Sequence, residues 1–205
     1  MEYSPSKYSV DWDQQWAAHA QDFRDGCAHL SLLGCHELKL APGPGFGDLS
    51  HPTTRLVLQL MAGLVKGKHV IDVGCGSGVL SLAACALGAA SVHALDIDPE
   101  AVAHARANSV LNGMEKKITY GLPGDYTFIG PGKNYFILMN MIQSEQFAAW
   151  NSLNKIHGNI TDAVTSGILL DGLAEYENLL DQWNLHSVEL VKEDPWIALR
   201  CKKIN

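Results

Sequence analysis

The chain is short of positive charge. Its 205 residues hold 15 Lys and Arg against 22 Asp and Glu, a formal net charge of −7. It therefore presents no basic field for a phosphate backbone, and nucleic acid is not the expected partner. Cysteine is sparse: Cys27, Cys35, Cys75, Cys85 and Cys201 are odd in number, none falls in a C-x-x-C pair, and no Cys/His cluster has zinc-ligand spacing. Reduced thiols of a cytoplasmic protein without a metal site are expected. The opening residues, MEYSPSKYSVDWDQQW, lack an apolar run behind a basic head, and no later segment sustains the apolar length that crosses a bilayer. Both observations argue against secretion and against a membrane. Repeats and low-complexity tracts are also missing. What the chain does have is apolar residues, 47% of the total, enough to bury a full core as one domain with a short N-terminal appendage.

Periodicity and punctuation divide it further. Residues 1–40 contain a helical stretch with spaced aromatics, DWDQQWAAHAQDF, and the Pro and Gly residues of HELKLAPGPGFGDLSHPTT break any helix beyond it. A helical appendage over 1–40 and a core over 41–205 are expected. From Pro52 onward helices and strands alternate: PTTRLVLQLMAGLV as helix, HVIDV as strand, GVLSLAACALG as helix, SVHALDI as strand, and DPEAVAHARANSVLNG as a helix opened by Asp-Pro. KITYGL and NYFILMN read as strands, the second apolar enough to be central in a parallel sheet. DAVTSGIL, the helix DGLAEYENLLDQW, and the strands HSVELVK and PWIALRCKK complete the chain. This order predicts an α/β, Rossmann-like, doubly wound sheet, mostly parallel with an antiparallel last strand. Ligands of such sheets sit at the carboxyl ends of the strands.

The turn after HVIDV carries the most specific signal. A dinucleotide fingerprint needs G-x-G-x-x-G, whereas here Gly74-Cys75-Gly76-Ser77-Gly78-Val79 reads G-x-G-x-G, with Asp72 inside the preceding strand. The pattern resembles motif I of the Rossmann-like S-adenosylmethionine-dependent methyltransferases. The fit is physical as well, because that cofactor has an amino-acid end and a sulfonium in place of phosphates, and glycines let the backbone approach it closely. Asp72 is placed to orient the ammonium end, directly or through water. Asp96 ends the second strand, where a carboxylate can accept both ribose hydroxyls, while Asp98 suits the cap of the next helix. Cys75 contributes its backbone and no thiol chemistry.

A closer likeness lies in PGPGFGDLSHPTTRL, which resembles the FGTG-x-HPTT segment of the PrmA family, the methyltransferases of large-subunit ribosomal protein eleven. GCGSGVLSLAA, ALDIDP, ARANSVLNG, SGILLDG and PWIALRCKK extend the similarity over most of residues 11–205. The resemblance implies cofactor contacts from Phe46, Gly47, His51 and Thr53, joined by Asp72, the turn residues Gly74, Cys75, Gly76 and Gly78, then Asp96 and Ile97. Two departures stand out. The family's Thr-Gly after Phe-Gly is Asp48-Leu49 here, and the stretch VDWDQQWAAHAQDFRDGCAHLSL resembles the family's linker helix, not its N-terminal recognition domain. The acceptor is therefore expected to be a different protein amine or a small amine, with the ribosomal protein a poor substrate for this chain alone.

The catalytic position implied by the resemblance is Asn140, at the end of NYFILMN, where an amide can orient an amine lone pair; it also contacts the cofactor. As a residue type alone, Asn140 would also suit a strand-end turn. Met141-Ile142-Gln143 lacks the Pro-Pro-aromatic run that stacks a flipped base, which disfavours nucleobase substrates. Gln143, Ser144 and Glu145 fit either the acceptor side or a helix cap, Asp125 either an adenine contact or a solvated turn, and Trp183 and Trp196 are read as packing. The leading expectation is an S-adenosylmethionine-dependent methyltransferase acting on an amine of a protein or a small molecule. Against it stand a nicotinamide-dependent oxidoreductase, disfavoured by Val79, and a cofactor-binding interaction module without catalysis. The oligomeric state is not legible.

Overall fold

The structure is a computed structural model and describes residues 10–32, 36–124 and 134–204. An N-terminal helix, α1 (Trp12–His19), is followed by the short strands β1 (Phe23–Arg24), β2 (Cys27–Leu32) and β3 (His36–Leu40). Where a helical appendage was expected over 1–40, the described residues hold the helix α1 followed by an antiparallel meander of β1, β2 and β3. The reason is visible in CAHLSL and HELKL, whose alternation at period two buries Ala28, Leu32, Leu38 and Leu40. These four belong to the same apolar cluster as the first helices of the core.

The core alternates α2 (Pro52–Met61), β4 (His69–Val73), α3 (Val79–Ala86), β5 (Ser91–Leu95), α4 (Pro99–Leu111), β6 (Ile118–Gly121), β7 (Tyr135–Asn140), α5 (Gln143–Asn151), β8 (Ile160–Leu169), α6 (Leu173–Gln182), β9 (Leu185–Glu193) and β10 (Trp196–Lys203). Seven strands form one sheet in the order β6-β5-β4-β7-β8-β10-β9. β4 pairs in parallel with β5 and β7, and β10 runs antiparallel between β8 and β9. The doubly wound sheet with an antiparallel last strand is the one expected. No helix among the described residues is long and apolar enough to cross a membrane.

Strand alternation divides the core into two layers. Val70, Phe136 and Leu138 face the cluster that includes α2 and α3, while Ile71, Ile137 and Met139 face the one that includes Trp150 of α5 and Tyr176 of α6. Both faces of β4 and β7 are therefore dry, which is why their sequences read as continuous apolar runs. Central strands buried this way leave their carboxyl ends as the exposed backbone at the middle of the sheet.

One buried amide braces that edge. Gln146 of α5 donates to the carbonyls of Met141 at 2.8 Å and Ser166 at 2.9 Å, and its Oε1 accepts from the Tyr176 hydroxyl. It thereby ties the exit of β7 to β8 and α6. Gln146→Leu would leave two carbonyls and a hydroxyl without partners, each costing about 1–3 kcal/mol when buried. A loss of at least about 2 kcal/mol in urea unfolding is expected. A loss near zero would mean that water replaces the amide.

Candidate functional site

A cleft of about 740 Å³ opens at the carboxyl ends of β4, β5 and β7. Its floor is the glycine turn and its roof is the segment from Pro44 to Thr53. These two segments touch backbone to backbone: a Cβ on Gly45 would lie 2.4 Å from the Gly76 carbonyl carbon, and one on Gly76 would lie 2.5 Å from the Phe46 oxygen. Any side chain at either position would force them apart. Ser77 locks the contact, donating its N–H to the Phe46 carbonyl at 2.8 Å and its hydroxyl to the Gly47 carbonyl at 3.1 Å.

Asp96 leaves β5 at the far wall. Its Oδ2 accepts from Gly76 N–H at 2.9 Å and its Oδ1 from Asp98 N–H at 3.0 Å, so both carboxylate oxygens are held by backbone. Asp98 caps α4 by accepting from Glu100 N–H at 2.9 Å, the role expected for it. On the opposite side His51 caps α2, with its Nδ1 2.9 Å from the Thr53 hydroxyl. Burial, and after it the charge of Arg55, lower the pKa of the His51 imidazole. Asn140 closes β7 and donates through Nδ2 to the Thr54 hydroxyl at 3.2 Å, which fixes the plane of its amide.

Of the residues singled out from sequence, Phe46, His51, Thr53, Gly74, Gly76, Asp96, Ile97 and Asn140 line the cleft. Ile97 is 82% exposed and stands at the mouth. The other four lie behind the lining. Gly47 is held against Ser77, Cys75 is buried with its thiol pKa pushed up by desolvation, and Gly78 packs against Ala105 at the start of α3. Asp72 is buried beneath α3, as described below. Asp125 falls outside the described residues.

Sequence reasoning missed Trp196, whose ring meets His51 edge-on at 4.9 Å and forms part of the cleft wall. The available signal was topological. The first residue of an antiparallel strand reaches the same edge as the last residues of its parallel neighbours, and Trp196 pairs with Leu169 at the end of β8. Trp183, by contrast, packs as expected, stacked on Trp150 at 4.7 Å. Ser144 and Glu145 do line the cleft, near Ile142. Among the described residues the charged lining residues are then Asp96, Asp98 and Glu145, with no Lys or Arg. Such a wall suits a cationic or neutral ligand and repels phosphates.

Asp72 carries an electrostatic load. Its Oδ2 accepts from the Ser81 hydroxyl at 2.7 Å, but its Oδ1 is buried with no hydrogen-bond partner among the described residues. Burial raises its pKa from 3.8 to about 7, against the opposing pull of the Ser81 bond. Because the folded value is raised, the stability it contributes is fully present below pH 3.8 and is lost as pH rises through about 7. The charged form costs on the order of 4 kcal/mol. Asp72→Asn should therefore gain on the parent as pH rises, with the smallest difference near pH 4 and the largest above pH 7, measured by denaturant unfolding across that range. A difference independent of pH would show that Asp72 titrates alike in the folded and unfolded chains.

Comparison with known proteins agrees with this geometry. The family model of ribosomal protein L11 methyltransferase (PrmA) matches residues 35–204. A protein of that name from Aeromonas hydrophila is 33% identical over 95% of this chain and 69% of its own length, and one from Bacillus subtilis is 37% identical over 81% of this chain. This chain spans only 53% of the length of the Bacillus protein. The solved structure of a ribosomal protein L11 methylase from Lactobacillus delbrueckii subsp. bulgaricus superimposes with a TM-score of 0.66 at 27% identity, covering 81% of this chain and 84% of that one. The chain belongs to the PrmA family.

Proposed function

We propose that the chain is an S-adenosylmethionine-dependent methyltransferase that methylates an amine of a protein. The observation that carries this reading is a cleft roofed and floored by glycine backbone, whose charged lining among the described residues is the carboxylates of Asp96, Asp98 and Glu145, with the Asn140 amide fixed at its inner end. The residues suit the cofactor, as Gly45 and Gly76 close on each other to give the cleft a wall without side chains, and the Asp96 carboxylate stands at that wall. When bound, S-adenosylmethionine supplies a methyl carbon made electrophilic by a sulfonium.

The chain's own residues then divide the work. A carboxylate has about four lone-pair sites. Asp96 uses one per oxygen on Gly76 and Asp98, leaving one per oxygen for the two hydroxyls of a ribose. Phe46 and Ile97 offer apolar surface for the adenine and keep water from the cofactor. Asn140 has one N–H committed to Thr54, so its carbonyl oxygen is the group that accepts from an incoming amine N–H and turns the lone pair toward the methyl carbon. Glu145, exposed on the acceptor side of the lining, attracts a cationic side chain to the mouth, where the ammonium gives one proton to water before its lone pair is free to take the methyl group. Nucleobase acceptors suit this edge poorly, for Ile142 and Glu145 replace an aromatic stacking platform. The names of the relatives point to a ribosomal protein as acceptor, and a protein amine is the acceptor proposed here.

Two substitutions separate binding from transfer. Asp96→Ala should weaken S-adenosylhomocysteine binding by about 2 kcal/mol or more, read by titration calorimetry on a variant whose unfolding is cooperative. Unchanged affinity would remove Asp96 from the site. Asn140→Ala should bind the same ligand as the parent does, yet lose about a hundredfold in transfer of label from the cofactor to ribosomal protein L11 or to proteins of a fractionated lysate. If the parent binds the ligand but labels no protein, the interaction-module reading takes the place of catalysis.

A further inference from the structure

The roof of the cleft is anchored by α4. Three residues four apart, His104 and Asn108 on one face of that helix and Asn112 at its C-cap, grip the chain from Lys39 to Gly45. Asn112 accepts from Lys39 N–H at 2.9 Å and donates to the Lys39 carbonyl at 2.7 Å. Asn108 accepts from Ala41 N–H at 2.8 Å and donates to the Ser77 carbonyl at 2.9 Å, so a single buried amide joins roof and floor. His104 lies 3.1 Å from Gly45 N and 2.7 Å from the Ala41 carbonyl. The first group can only donate and the second can only accept, so Nδ1 is the acceptor and Nε2 carries the proton.

α1 completes this bracket. Trp16 is its one buried residue. The Trp16 Nε1–H donates to the Gly43 carbonyl at 3.0 Å, and its ring stands edge-on to His104 at 5.6 Å. Gly43 is pressed so close to the imidazole that a Cβ there would lie 2.6 Å from it. A helix of eight residues does not hold itself in water, so α1 depends on the seating of Trp16, and Gly43 depends on the same contact.

We propose that Trp16 and His104 are positioning residues for the ligand cleft, and that seating of α1 and occupancy of the cleft are linked equilibria. The chain of contacts runs from Trp16 through Gly43 and His104 to Gly45 and the glycine turn. By reciprocity, an event that displaces α1 loosens the cleft, and a ligand in the cleft holds α1 down. The inference rests on the reading above only for the identity of the ligand.

Amide hydrogen exchange on the whole chain tests it without any ligand. Trp16→Phe keeps most of the apolar contact and loses the donor, so peptides covering residues 43–51 should exchange several-fold faster while those of β7 and β8 stay unchanged. Affinity for S-adenosylhomocysteine should fall roughly tenfold, as for one lost buried hydrogen bond. Asp11→Ala is the second variant, because Asp11 is exposed, remote from the cleft lining, and caps α1 by accepting from Gln14 N–H at 3.0 Å. It should shift exchange and affinity in the same direction by about twofold. In the parent, the ligand should slow exchange across α1. A purely structural Trp16 would lower the unfolding midpoint of Trp16→Phe yet leave both the 43–51 exchange and the affinity at parental values, and that result would overturn the proposal. A parent that binds no S-adenosylhomocysteine would sink the cofactor reading, while the exchange comparison still decides this one.

Discussion

The direct backbone contact between Gly45 and Gly76 is the constraint on which the rest of the site depends. Two segments about thirty residues apart meet with no side chain between them, and the cleft takes its height from that approach. The contact is not self-sustaining, since glycine backbone buries little apolar surface. It is held by polar groups aimed from behind: Ser77 from the floor, and His104 and Asn108 from α4. Each of those bonds is worth about 1 kcal/mol and none would suffice alone. Several of them converging on residues 41–47 make the roof a fixed wall instead of a loose loop.

The charge in the cleft follows the opposite logic, since it is a cost that the fold carries. Asp72 is buried with one oxygen unpartnered, and Asp96, Asp98 and Glu145 gather negative charge at one edge of the sheet. Nothing in the packing of the core asks for this. A buried acid with a raised pKa beside a cleft is the kind of local conflict that marks a place shaped for a ligand. The sign of the conflict also selects among ligands of glycine turns, because a pyrophosphate would meet the carboxylates of Asp96, Asp98 and Glu145.

Much of this was legible in the sequence, and the parts that were not share a cause. β4, β5 and β7 are short, apolar and bounded by turn residues, so their period and punctuation are read directly, and with them the edge where Gly76, Asp96 and Asn140 emerge. The meander of β1, β2 and β3 was hidden because the spaced Trp residues of DWDQQW advertise a helix, and the alternation after it is short enough to pass for linker. Trp196 looked like packing because nothing local tells where the start of a strand will lie. Its place in the cleft wall comes from β10 running against β8. Asp72 was expected to orient the ligand's ammonium end directly or through water, and that strand alternation turns its side chain under α3 toward Ser81 could not be read from HVIDV alone. In each case the missing information was the relation between segments, which pattern within a segment does not carry.

The two layers of the core also divide the cleft into halves with separate supports. The side of Gly45, Phe46 and Gly76 rests on α4 and α1, within the layer that contains α2 and α3. The side of Met141, Ile142 and Glu145 rests on Gln146, which reaches Ser166 and Tyr176 in the opposite layer. The central strands lie between these supports, and Asn140 is the point where the halves meet, since it ends β7 yet bonds Thr54 of α2. Changes in the Gln146 layer can therefore reshape the edge from Met141 to Glu145 while the Gly45–Gly76 contact stays as it is. Substitutions that alter the two halves are carried by different helices, and the Asn140–Thr54 bond is one contact that couples them.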